Sequence, residues 1–347
     1  MYSESDLDTA VKAGAISAEA AQAFRAHVAR ERHAPAVDEE HFRLLTGFND
    51  IFVSIALVLL LVAVGQIGDT IATYLSGAFV AAAAWMLAIV FTARRRMALP
   101  SIILLGAFVG GVAFSIATTL TTLVLSTAPN SGDERTTAIV TALAGLGAAA
   151  AAWLHWRRFM VPITVAAGAC AVAALVFGTI LAIAPDLQAA MWPLLFVAGV
   201  AMFALAMRWD LSDPARRTRR ADVAFWLHLA AAPMIAHPVF QLLGVFGENS
   251  GIDTALAALV LYAVFGFVAL AVDRRALLVS SLVYVLFAMG SLFRTAGAVE
   301  LSAALTALVI GAALLSLSVF WHPMRRRVVG LLGKAGRRLP PVEMAAA

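Results

Sequence analysis

The sequence predicts an all-α polytopic membrane protein with ten transmembrane helices and both termini cytoplasmic. Three observations carry this. Of the 347 residues, 62% are apolar and only 13% charged, whereas a soluble domain is about half apolar and about a quarter charged. The apolar residues gather in ten long runs. The basic residues fall in every second connection between those runs. A mean hydropathy of +0.90 excludes a soluble enzyme, a nucleic-acid-binding domain and a disordered chain.

The chain begins with a polar segment, 1–47, holding eight Asp/Glu against five Lys/Arg. Ser3 is placed to cap a helix through about Ala13, and Gly14 is a natural terminator. Ser17 caps a second helix from Ala18 to about Arg32, on which Ala20, Phe24 and Val28 recur at helical spacing. Leu7, Val11 and Ile16 are expected to pack on that stripe. This two-helix hairpin is too short for an independent core. Ala34-Pro35-Ala36 then breaks the chain, and Asp38 starts a lead-in to the membrane. No cleavable signal peptide fits the acidic start Met1-Tyr2-Ser3-Glu4-Ser5-Asp6, so the first membrane helix is expected to serve as its own signal.

The membrane domain occupies 48–322, with spans at 51–67, 71–93, 99–125, 137–156, 159–184, 189–207, 223–246, 254–272, 276–293 and 301–321. A hydrocarbon core about 30 Å thick needs roughly 17–25 helical residues. Leu, Ala and Val dominate each run, which favours helices over barrel strands. The third and fifth spans are long and are expected to tilt.

The connections set the orientation. Arg94–Arg96, Arg157–Arg158, Arg208 with Arg216–Arg220, and Asp273-Arg274-Arg275 lie on one side. Together with the two terminal segments, that side holds 23 of the 25 Lys/Arg, leaving Arg135 and Arg294 on the other. A Lys/Arg excess marks the cytoplasmic face, so both termini are expected there. The tail, 323–347, interleaves Arg325, Arg326, Arg327, Lys334, Arg337 and Arg338 with apolar residues and is expected to lie on anionic lipid.

Catalytic signatures are missing. There is no His-Glu-x-x-His, no Gly-x-Ser-x-Gly, no phosphate-binding glycine loop and no cysteine besides Cys170. The expectation is therefore no enzyme, no cofactor, no metal and no nucleic-acid partner. His155 and His322, each beside Trp and Arg at a predicted boundary, are expected to anchor the interface. Hydroxyls such as Ser115, Thr118, Thr119 and Thr121 are expected to bond their own helix backbone or a neighbouring helix. Gly106 and Gly110 have the spacing that allows close helix contact.

The seventh span carries the candidate site. Pro233 and Pro238 each remove a backbone donor and are expected to break or bend the helix. His237 and Gln241 share a face, with Met234 a turn earlier, so these five residues are the expected lining of a cavity. His228 lies nine residues before His237 and faces the opposite way.

The Ala13-Gly14-Ala15-Ile16-Ser17 link between two short helices, followed by Phe42-Arg43-Leu44-Leu45 and many alanine-rich spans, resembles uncharacterised bacterial predicted membrane protein families with a small helical head. That resemblance implies about ten spans and no activity. The layout is also similar, in topology alone, to drug/metabolite-type transporters with two inverted five-helix halves. Two functions compete: a small-molecule permease with its cavity at the seventh helix, and a non-transporting scaffold that binds a protein partner through residues 1–47 and the tail.

Overall fold

The structure is a computed structural model describing residues 4–31, 48–127, 133–213, 218–244, 252–275, 302–333, Leu339 and individual positions between 278 and 293. The chain divides into two compact units, Met1–Arg43 and Leu44–Ala347. Among the described residues the secondary structure is helical and no strand occurs.

The first unit holds α1 (Glu4–Lys12) and α2 (Ala18–Glu31). Gly14 turns the chain at φ +70°, a conformation that costs glycine little. The Ser17 hydroxyl caps α2 by accepting from the Ala20 N–H at 3.1 Å. The buried contact is Leu7 with Ala21 as the closed position of α2, while Ala20 and Phe24 are exposed. The predicted stripe is thus off by one residue on the helix surface. On the exposed side of the hairpin Arg25 reaches Asp8 at 2.9 Å. The Ser3 cap, the Val28 side chain and the Asp38 cap lie outside the described residues.

The second unit begins with α3 (Phe48–Ile71), α4 (Thr73–Ala88), α5 (Ala98–Thr127), α6 (Glu134–Phe159) and α7 (Ile163–Ile183). It continues with α8 (Met191–Leu211), α9 (Arg219–Leu242), α10 (Ile252–Val272), α11 (Ser302–Val319) and α12 (Trp321–Leu331). Seven of these helices are long and apolar enough to cross a membrane, or eight if α11 and α12, bent 75° from each other, count as one. The apolar part of α10 is shorter, and the predicted span 276–293 falls largely outside the described residues.

Local backbone events set the helix ends. The fifth span was expected to start at 159 and be long, but Met160 turns left-handed at φ 55° and α7 starts only at Ile163. α4 ends in a π-helical turn, Ile89–Arg94, before Arg96 reverses the chain at φ 51°. Asp133 opens α6 by accepting from the Thr136 N–H at 2.8 Å.

Small residues set the spacing between helices. A Cβ on Gly145 would sit 2.6 Å from the Leu175 N, and one on Gly178 would strike the backbone of Ala138 and Ala142. These contacts run in opposite sequence directions, so α6 and α7 are antiparallel and nearly touch along their length. Gly77 and Gly111 do the same for α4 and α5. Gly106 and Gly110, the pair expected at a close contact, face open space. The hydroxyls of Thr118, Thr119 and Thr121 bond backbone carbonyls of α5 at 2.7, 2.7 and 2.8 Å. Ser115 instead crosses to the Tyr74 carbonyl of α4 at 2.7 Å.

Candidate functional site

The most concentrated chemistry lies where α8, α9, α10 and α12 end or pass at the arginine-rich side. On α8 the buried positions Gly199, Met202, Ala206 and Asp210 form one stripe toward α9, which carries Asp210 inward with its apolar neighbours. On α9, Ala224, Leu227, His228 and Ala231 form the facing stripe. Asp210 and His228 therefore meet, with Asp210 Oδ2 3.2 Å from His228 Nε2. A carboxylate oxygen only accepts, so Nε2 carries the hydrogen. Phe203 packs edge-on against the His228 ring at 5.0 Å.

The third member comes from the end of α10. Asp273 adopts φ +58°, and the Arg274 N–H closes back on the Ala269 carbonyl at 2.9 Å. This reversal sends Arg274 to Asp210, where Nε donates to Oδ2 at 3.0 Å and an Nη–H donates to Oδ1. The same guanidinium reaches the Ala221 carbonyl at 3.3 Å. Asp210, His228 and Arg274 are 1%, 0% and 2% exposed. Charges so buried persist only when paired and hydrogen-bonded, and the two-pronged Arg–carboxylate fork is the strongest such pairing.

A second pair adjoins the first through the chain. Asp273 accepts the Trp321 indole N–H at 2.8 Å and lies 3.3 Å from Arg325 Nε. Arg275 stacks over the Trp321 ring at 5.0 Å. Trp321, Arg325 and Val328 are the buried face of α12, which leaves Arg326 and Arg327 exposed. Arg325 was expected on the lipid surface. It is drawn inward because Asp273 would otherwise be a buried, uncompensated charge. His322 is exposed, and Lys334, Arg337 and Arg338 lie outside the described residues.

The chemistry of this cluster is that of a lock. Both Asp210 oxygens are occupied, and Arg274 divides its donors between a carboxylate and a carbonyl. The set ties α8 and α9 to the end of α10, and Asp273 ties α12 to the same end.

The residues chosen from sequence behave differently. α9 is one continuous helix through Pro233 and Pro238, so the expected break does not occur. Two lost donors are tolerated because the remaining ladder and the packing of α9 on α8 hold the helix. Pro233 is exposed and Pro238 buried; Met234, His237 and Gln241 are half-buried. His237 Nδ1 lies 3.0 Å from the Tyr284 hydroxyl, and Trp192 packs edge-on at 5.0 Å. The two cavities described, of about 530 Å³ among α3–α5 and about 710 Å³ beside Phe203, Met207 and Arg208 of α8, touch neither His237 nor Gln241.

His155 also departs from expectation. It is fully buried, bonded to the Thr164 hydroxyl at 3.1 Å and enclosed by Phe159, Phe108 and Trp85. The left-handed turn at Met160 folds α7 back over it, so it is a core group and no interfacial anchor. Among the described residues, no group of three His, Cys, Asp or Glu is placed to hold a metal.

Sequence reasoning missed Asp210, Asp273 and Trp321, and treated Arg274 as a loop charge. The available signal was an acid adjoining each basic loop, Asp210 after Arg208-Trp209 and Asp273 before Arg274. No protein-family model, curated protein or solved structure matches the chain. The class defined by fold and site is an all-helical protein with several apolar, membrane-spanning-length helices and a buried ionic lock at one end.

Proposed function

We propose that the chain is a ten-span protein of a bacterial inner membrane, with its arginine-rich end cytoplasmic, that serves as a non-transporting scaffold. In this reading residues 1–47 and the tail bind a protein partner, and Arg326 and Arg327 rest on anionic lipid. The observation that supports it is the lock: Asp210, His228 and Arg274 are buried and bonded to one another, which suits a fixed platform better than a gate. The continuous α9 and the His237–Tyr284 bond point the same way. The Lys/Arg asymmetry supports the orientation.

The permease reading has one observation in its favour, that ionisable groups buried within membrane helices are functional by default. One experiment separates the two. Metabolite profiling of a deletion strain is run beside strains expressing the full chain, a chain lacking residues 1–43, and His237→Ala. A scaffold predicts that loss of residues 1–43 reproduces the deletion and that His237→Ala behaves as wild type. A permease predicts the reverse, with a solute accumulating in the His237→Ala strain.

A further inference from the structure

We propose that the groove among α3, α4 and α5 binds an aminophospholipid, its ammonium head on Asp69 and one acyl chain running inward. This goes beyond the scaffold reading and does not depend on it. The groove, of about 530 Å³, has Asp69 and Gln66 toward the α3 end remote from the arginines, and Val62, Val80 and Phe114 along its walls. Gln66 and Asp69 lie three residues apart on one face of α3. Both are exposed, and neither makes a hydrogen bond or ion pair with another described residue. The Ser76 hydroxyl, by contrast, is already spent on the Gly65 carbonyl at 2.9 Å.

Three features select the occupant. The lining runs along α3 from Asp69 to Val58, eleven residues or about 16 Å at the helical rise. That is about half of the ~30 Å hydrocarbon thickness, the depth of one leaflet, so the groove matches a single lipid tail. The wall is apolar below Gln66, which fits an acyl chain and not a polar solute. Above it, the exposed carboxylate and amide at the end of α3 offer acceptors and a negative charge that a cation with N–H donors complements. A primary ammonium supplies a charge-assisted hydrogen bond. A quaternary choline head has no N–H, and a glycerol head has no positive charge.

The test uses the full chain, purified in mild detergent, delipidated and titrated with phosphatidylethanolamine under native mass spectrometry. One lipid is expected to be retained, about tenfold more tightly than phosphatidylcholine or phosphatidylglycerol, a factor equal to one bonded charge. Asp69→Asn is expected to lose that preference and Asp69→Glu to keep it. Val62→Trp, which fills the groove and leaves Asp69 in place, is expected to abolish retention. Should Asp69→Asn fail to fold, the lipid-class comparison on the wild-type chain and Val62→Trp decide the matter. Equal retention of all three lipids, or unchanged phosphatidylethanolamine binding in Asp69→Asn or Val62→Trp, overturns the proposal. Binding of dodecylammonium without phosphatidylethanolamine also overturns it, and names a free amphiphilic cation instead.

Discussion

Trp321 donates its indole N–H to Asp273 at 2.8 Å across 48 residues of sequence, in a fully buried contact. That bond, with Arg325 on the same carboxylate, holds α12 against the end of α10 after the 75° bend that separates it from α11. Hydrogen bonds to charged groups contribute about 1.5–3 kcal/mol each. Trp321→Phe keeps the ring and removes the donor. Local opening of α12 should then rise by roughly tenfold or more, read as faster tryptic cleavage at Arg325–Arg327. Unchanged cleavage would mean that the indole bond does not hold the helix.

The α6–α7 contact predicts opposite outcomes for two glycine substitutions. Gly178→Val places a side chain into the backbone of Ala142 and should cost about 1–3 kcal/mol through overpacking. Gly106→Ala meets open space and should be neutral or stabilise by up to about 1 kcal/mol, because alanine restricts the unfolded helix segment. Thermal denaturation in detergent distinguishes them. Equal effects at both positions would place the close contact elsewhere.

The start of α6 should depend on pH. The Thr136 side chain, and then its backbone N–H, hold the Asp133 carboxyl below the ordinary carboxylate range. A carboxyl with a depressed folded value stabilises above its unfolded value and loses that contribution as pH falls through the folded one. Hydrogen exchange in the first turn of α6, corrected for intrinsic rate, should therefore stay protected at neutral pH and rise only below the usual carboxylate range. Asp133→Asn should remove the pH dependence while keeping the cap. A pH dependence that survives this substitution would assign it to another group.

Most of the fold was legible because lipid leaves a chain few options: an apolar run of sufficient length becomes a helix. The runs at 51–67 and 137–156 appear inside α3 and α6. What the runs did not carry was their ends, since single residues such as Met160 and Arg96 adopt left-handed backbone without announcing it in composition. The site was less legible. Counting charges by loop treats Arg274 as an orientation signal, whereas its role depends on Asp210, 64 residues away in sequence. His155 looked interfacial from its Trp and Arg neighbours, yet a turn five residues later buries it. Pro233 and Pro238 were read by their intrinsic cost, which packing of α9 against α8 overrides.

Orientation is checked by labelling single cysteines from outside intact cells, with Cys170 first replaced by Ala. Cysteines at Asp133 and Glu134 should react with an impermeant reagent, and cysteines at Ser212 and Thr218 should not. Labelling of the second pair from outside would invert the assignment and place the lock on the external face.

The claim that a buried ionic lock joins α8, α9 and α10 is tested most directly by a double-mutant cycle on Asp210 and Arg274. Stability is measured by denaturation in detergent for Asp210→Asn, Arg274→Gln and the double variant. Removing one partner leaves an uncompensated buried charge, so each single change should cost about 3–5 kcal/mol. The double change should cost clearly less than the sum of the two singles, because it removes both charges together. Additive costs, or single variants within about 0.5 kcal/mol of the wild-type chain, would contradict the lock.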